Sequence, residues 1–187
     1  MALIPYPEMD QMSEETRLHF ERFSSEHGRP SLLRWMLGWS PLASKAMDDL
    51  YHPVFATGML GRRLKELLFV AASEQRRCFY CMGGHSRFLV KEYGYSPQEV
   101  EALRRGEPVE GVDAREHALV VVIRKAAADT GEVTAEDIDR LRALGWDDDE
   151  IVEALATVAQ AFFTNTFAQA TRLEDDIEVS DGPEGYF

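Results

Sequence analysis

The chain has 187 residues, 45% of them hydrophobic and 28% charged, enough for one domain over 1–187 to bury a core without metal or disulfide staples. A formal net charge of −13, with 20 Lys and Arg scattered among 33 Asp and Glu, argues against a nucleic-acid partner. No stretch predicts a membrane span, and the start Met-Ala-Leu-Ile-Pro-Tyr-Pro-Glu has neither a basic n-region nor an apolar h-region, so the expected location is cytoplasmic.

In chain order, residues 1–12 hold two prolines and no period, and read as an arm. Ser13 predicts a helix start, with Leu18, Phe20 and Phe23 as its apolar contribution and Gly28 as its end. Pro30 can open the next segment, whose Leu32, Leu33, Trp35, Met36 and Leu37 are too apolar to lie open. Ser40-Pro41 restarts the chain toward Tyr51, and Pro53 and Gly58 are expected to punctuate the connection that follows. From Gly61 to about Arg76 the apolar residues leave almost no polar face, which predicts a central, buried helix. Cys78 begins another, running to Gly94, and Ser96-x-x-Glu99 is a capping box for a short one. Asp113-x-x-Glu116 starts a helix despite its Val-Val-Val-Ile run, because its acidic start and Arg124-Lys125 finish match the helix dipole. Thr134 caps the next, ended by Gly145. The longest follows Asp147, with one stripe of Ile151, Leu155, Val158 and Phe162 and a second of Val152, Ala159 and Phe163. Two apolar sides predict a helix sandwiched within the subunit or across an oligomer. The prediction is an all-α chain of about eight helices, with an active-site core at 60–94 and an acidic tail at 174–187.

The chemistry concentrates in Cys78-Phe-Tyr-Cys81, which holds the only two cysteines of the sequence, and in His85. A helix N-terminus favours the thiolate form of a cysteine, and Arg76 and Arg77 add positive charge upstream. His85 lies at i+4 from Cys81, on the same face, where an imidazole can accept the thiol proton. Two sulfurs at this spacing can also close into a disulfide, so an oxidised thiol has a resolving partner beside it. Met82 stands where a c-type haem site needs histidine. Zinc could take Cys78, Cys81 and His85, yet no fourth ligand is supplied by a second C-x-x-C or an H-x-x-x-H. Two buried core cysteines with an incidental histidine remain the bland alternative. Glu66, in an apolar run, would on sequence physics alone form a salt bridge back to Arg62 or Arg63.

Glu66, then Cys78-x-x-Cys81, then His85 resembles the active-site pattern of the alkylhydroperoxidase D and carboxymuconolactone decarboxylase family, over roughly Leu60 to Gly94. The Phe162-Phe-Thr-Asn-Thr-Phe segment is compatible with its peroxidase-related members. The resemblance implies an all-helical fold, assembly into trimers or hexamers, and reduction of hydroperoxides by the cysteine pair without a metal or organic cofactor. It implies Glu66 in a proton relay through His85, Cys81 as the attacking thiol, and Cys78 as proton donor and resolving thiol. One departure is Tyr80, which stands where the founding enzymes carry a histidine between the cysteines. A tyrosine passes a hydrogen bond but is a poor base near neutral pH. Position at the helix start would instead nominate Cys78 as the exposed nucleophile.

His117, inside an apolar helix, reads as a satisfied core histidine that could still reach the site across an interface. His19, His27 and His52 share no spacing with it, and Trp35, Met36 and Trp39 could line an access pocket, although packing is their commoner role. The expected partners are a hydroperoxide substrate, an external dithiol reductant and further copies of the chain. The rival expectations are a non-catalytic thiol redox sensor, or a relative whose pocket handles a lactone.

Overall fold

The computed structural model describes residues 1–27 and 30–174. Gly28 and the acidic tail from residue 175 onward lie outside them, as do the side chains of Phe23, His27 and His52. Among the described residues the chain is all-helical: α1 Glu14–His27, α2 Leu32–Leu37, α3 Pro41–Ala56, α4 Arg62–Gln75, α5 Phe79–Tyr93, α6 Pro97–Arg105, α7 Ala114–Ala128, α8 Ala135–Ala143 and α9 Asp148–Thr171, with two short 3-10 turns. That is one helix more than the eight expected. The caps read from sequence do their work: Ser96 Oγ accepts from Glu99 N–H at 3.2 Å, Asp113 from Glu116 N–H at 2.8 Å, and Thr134 from Asp137 N–H at 3.3 Å.

The molecule is built around α4, which packs on α5, α7 and α9. Leu67, Leu68, Phe69, Val70, Ala71 and Ala72 are wholly buried, as a helix without a polar face requires. Shortening Leu68 to Ala should cost about 2–5 kcal/mol. Urea unfolding followed by circular dichroism would measure it, and a cost near zero would show that α4 is not the centre of the core.

Two cations on this helix have their own solutions. Lys65 is fully buried, yet its ammonium pairs with Glu153 of α9 at 2.6 Å and donates to the Thr57 carbonyl. Glu153 in turn accepts the Met59 and Leu60 N–H groups at 2.7 and 3.0 Å, so one carboxylate ties α9 to the α3–α4 connection. Arg62 points toward the site described below.

One expectation is corrected. Pro53 does not punctuate a connection but lies inside α3, which continues to Ala56. Burial of Tyr51, Val54 and Phe55 on the core outweighs the one backbone bond a proline removes. Trp35 and Trp39 take the packing role, the commoner one expected of them. Their indole N–H groups donate to the Pro7 and Pro5 carbonyls at 2.9 and 2.7 Å and hold the N-terminal arm against α2. The arm's Leu3 N–H donates to Thr171 at the end of α9, and the Met1 amino group pairs with Glu174. On α9, Val152 (64% exposed) and Ala159 of the second apolar stripe are exposed in the single chain, while Phe163 is half-buried against the core. The buried face of α9 consists of Ile151, Ala154, Val158, Ala161 and Ala168, interleaved with Thr157, Gln160, Thr164 and Asn165.

Away from the core, Asp137 accepts from Lys125 at 2.7 Å and from the Thr134 N–H and hydroxyl. The Lys125 bond, reinforced by Thr134, lowers its pKa from 3.8 to about 2. A depressed folded pKa stabilises the fold above the unfolded value, and that contribution is lost as pH falls through the folded one. Asp137→Asn should therefore flatten the decline of the thermal midpoint between about pH 3.8 and 2, leaving a constant deficit above that window. An unchanged acid slope in the variant counts against the pairing.

Candidate active site

Cys78 is the N-cap of α5, in extended conformation, and Cys81 sits in the first turn. Arg77 before it takes a left-handed conformation with φ 55°, uncommon for a residue with a Cβ, and turns the chain sharply from α4 into α5. Both cysteines are free thiols, and both are buried. The exposed first cysteine expected from motif position is thus not found: Cys78 has no exposed surface. Its N–H donates to the Ser73 carbonyl at 3.0 Å, which seats it behind the end of α4.

Cys81 instead lines a small cavity of about 30 Å³, together with His85, Tyr80, Tyr51, Phe69 and Thr164. The cavity has room for roughly two waters or a peroxide group, given ≳10–15 Å³ for each water. Tyr80 lies on its wall and is anchored there, its hydroxyl accepting the Leu33 N–H at 3.1 Å. Burial raises the pKa of Tyr51, which keeps its phenol protonated. Neither tyrosine is placed as a base.

Glu66 resolves the two expectations for it by satisfying both. It is fully buried, with Oε1 accepting from Arg62 Nε at 2.5 Å and Oε2 2.5 Å from His85 Nδ1. Local helical pairing and a relay contact are therefore the two arms of one carboxylate. With Nδ1–H donated to Glu66, Nε2 is the acceptor nitrogen of the imidazole. The ring is gripped by Phe69 at a centroid distance of 3.9 Å and by Phe55 at 5.7 Å. Arg62 is held over Phe55 and Phe88, at 4.6 and 5.1 Å.

The electrostatics of the thiols differ. Burial pushes the Cys81 thiol well above the usual range, with the neighbouring Cys78 adding to it, while Thr164 and Asn165 oppose this by hydrogen bonding. Cys78 is lowered, chiefly because the Cys81 thiol donates to its sulfur, with a further bond from Gln169. The pair thus shares its protons unequally: Cys81 holds on to one, and Cys78 carries the first negative charge. A base is needed to bring Cys81 to its reactive form.

The structure brings Glu66, His85, Cys81, Cys78 and Tyr80 together, but not His117, whose Nε2 lies 3.0 Å from the Gly106 carbonyl. Among the described residues no group of three or more His, Cys, Asp and Glu is arranged to hold a metal. His85 spends Nδ1 on Glu66, and no fourth donor joins the thiols. Sequence reasoning missed the contribution of α9. Asn165 Nδ2 donates to Ser73 Oγ at 3.1 Å and Gln169 Nε2 to the Arg76 carbonyl at 2.8 Å. The signal was available, since Thr157, Gln160, Thr164 and Thr171 recur at three, four and seven residues in an otherwise apolar helix.

Residues 41–124, from the start of α3 into α7, match the carboxymuconolactone decarboxylase family. A peroxidase-related protein from Ralstonia eutropha JMP134, described as an alkylhydroperoxidase AhpD core, superposes with a TM-score of 0.83 at 20% identity, covering 95% of this chain and 93% of its own. A peroxidase-related protein from Silicibacter sp. TM1040 gives 0.79 at 24% identity, with 95% and 93% covered. A debrominase, Bmp8, solved with 2,3,4-tribromopyrrole as a cysteine-to-alanine variant, gives 0.76 at 16%, with 94% and 91% covered. No curated protein matches the sequence. The fold is the alkylhydroperoxidase D-like one. Among the described residues, no helix is long and apolar enough to cross a membrane.

Proposed function

We propose that the protein is a thiol-dependent peroxidase, cytoplasmic and homo-oligomeric, that reduces hydroperoxides through Cys81 and Cys78. The observation that carries this is the buried Glu66 carboxylate fixed on His85 Nδ1, beside a cavity that Cys81 faces. His85 Nε2 takes the Cys81 proton as the sulfur attacks the distal peroxide oxygen. The O–O bond breaks, the sulfur becomes a sulfenic acid, and the alkoxide leaves as an alcohol with the proton returned by the imidazolium. Cys78 then attacks the oxidised sulfur, forming the disulfide and releasing water. Cys78 sits three residues before the oxidised sulfur at the start of the same helix, where a resolving thiol is needed. The two electrons come finally from an external dithiol, which exchanges with the Cys78–Cys81 disulfide.

Buried Arg62–Glu66 pairing supports this ordering, because it anchors the carboxylate that orients the imidazole. Carboxymuconolactone decarboxylation has no evident use for the cysteine pair. The test is hydroperoxide turnover with a panel of dithiol donors, wild type beside Cys81→Ser, with 2,3,4-tribromopyrrole as an alternative substrate. Repeated turnover of peroxide in the wild type alone supports the proposal. A single oxidation without turnover under every donor means a redox sensor instead, and preference for the bromopyrrole means a dehalogenase.

A further inference from the structure

The reaction cavity is too small for an organic substrate. About 30 Å³ accepts the peroxide group, and the rest of the molecule must lie elsewhere. Arg87 lines this cavity and also lines a second, open groove of about 350 Å³ between α5 and α6. The groove is lined by the apolar Val90, Pro97 and Val100 and by Arg87, Lys91 and Arg104, with Lys91 exposed at its rim. Its one carboxylate, Glu101, bonds Arg105 at 2.7 Å, and Arg104 gives its Nε to Glu74 at 2.7 Å. Arg104 is thereby neutralised, and Lys91 is the exposed cation that an anionic group in the groove meets, in a chain whose net charge is −13. The juxtaposition fits a ligand with an apolar body and an anionic end.

From the shared Arg87 wall and the basic rim, we infer that the α5–α6 groove binds the body and carboxylate of an amphipathic organic acid, whose hydroperoxide group reaches Cys81. The inference rests on the peroxidase reading for its chemistry, which is the same two-electron reduction of the O–O bond. Binding by the groove does not depend on it. The substrate class is thus a fatty-acid-like hydroperoxide in preference to hydrogen peroxide or a neutral alkyl hydroperoxide.

Isothermal titration calorimetry with dodecanoate and with dodecanol tests binding apart from turnover. Dodecanoate should bind at least tenfold more tightly than dodecanol to the wild type. Lys91→Gln, and Lys91→Gln with Arg104→Gln, should lose most of that preference. Lys91 is exposed, so the single variant keeps the test open if loss of the Arg104–Glu74 pair unfolds the double one. In kinetics, kcat/KM for linoleic acid hydroperoxide should fall about tenfold in Lys91→Gln, with its methyl ester and hydrogen peroxide unchanged. Equal affinity for acid and alcohol, or a preference that survives both substitutions, overturns the inference. Absence of turnover with every peroxide, while dodecanoate still binds through Lys91, sinks the peroxidase reading and leaves the groove standing.

Discussion

Cys81→Ser is expected to abolish peroxide turnover, with a loss of at least about 1,000-fold, whereas Cys78→Ser should retain one rapid oxidation and then stop. The asymmetry follows from position. Cys81 faces the cavity with His85, while Cys78 is enclosed behind the end of α4. A serine hydroxyl cannot replace a thiol as the atom that attacks oxygen, and losses of this order accompany removal of a nucleophile. In Cys78→Ser the sulfenic acid on Cys81 has no resolving thiol, so it should accumulate and react with a sulfenic-acid trap in a 1:1 ratio. Cys78→Ser also removes the sulfur that accepts from Cys81 and raises its proton affinity, so the first oxidation itself should not slow. Adduct formed only when Cys78 is retained reverses the assignment.

Glu66→Gln should lower kcat/KM for peroxide by about 100- to 10,000-fold, the range associated with a positioned general base. The amide keeps the shape of the side chain but removes the charge that Arg62 and His85 share. A glutamine can still accept from Nδ1–H, or turn its NH2 toward the ring and favour the other tautomer, which leaves no acceptor at Nε2 for the Cys81 proton. Glu66→Ala should add a fold-stability loss of about 3–5 kcal/mol for breaking a buried pair, so the glutamine is the cleaner probe. Steady-state kinetics at several pH values, alongside thermal melts, separates the two effects. A fully active Glu66→Gln protein would leave His85 with no need of the carboxylate.

The local part of the site was legible from sequence because it lies on one helix. Cys78 as N-cap, Cys81 in the first turn and His85 one turn on need only the α5 start to be right. The Glu66–His85 contact joins α4 to α5, which spacing along the chain cannot report, and it is the family resemblance that gives it weight over the local salt bridge. On physical grounds alone Glu66 is expected to pair with Arg62 or Arg63, and the Arg62 pairing exists alongside the histidine contact, because a buried carboxylate has two oxygens to satisfy. Roles set by long-range docking were not legible. Trp35 and Trp39 read as pocket or core, yet their N–H groups are spent on prolyl carbonyls of the arm. The polar stripe of α9 becomes a feature only once the helix is laid across the cysteines, where Thr164 and Asn165 reach the Cys81 sulfur.

The central claim is that the cavity-facing sulfur is oxidised first and its buried neighbour closes onto it. Fully reduced protein treated with one equivalent of hydroperoxide, then assayed for free thiols and run on a non-reducing gel, tests this directly. The expected result is loss of both thiols in every chain with no covalent dimer, reversed by a dithiol. Retention of both thiols, or a stable Cys81 oxidation product beside a free Cys78, contradicts it.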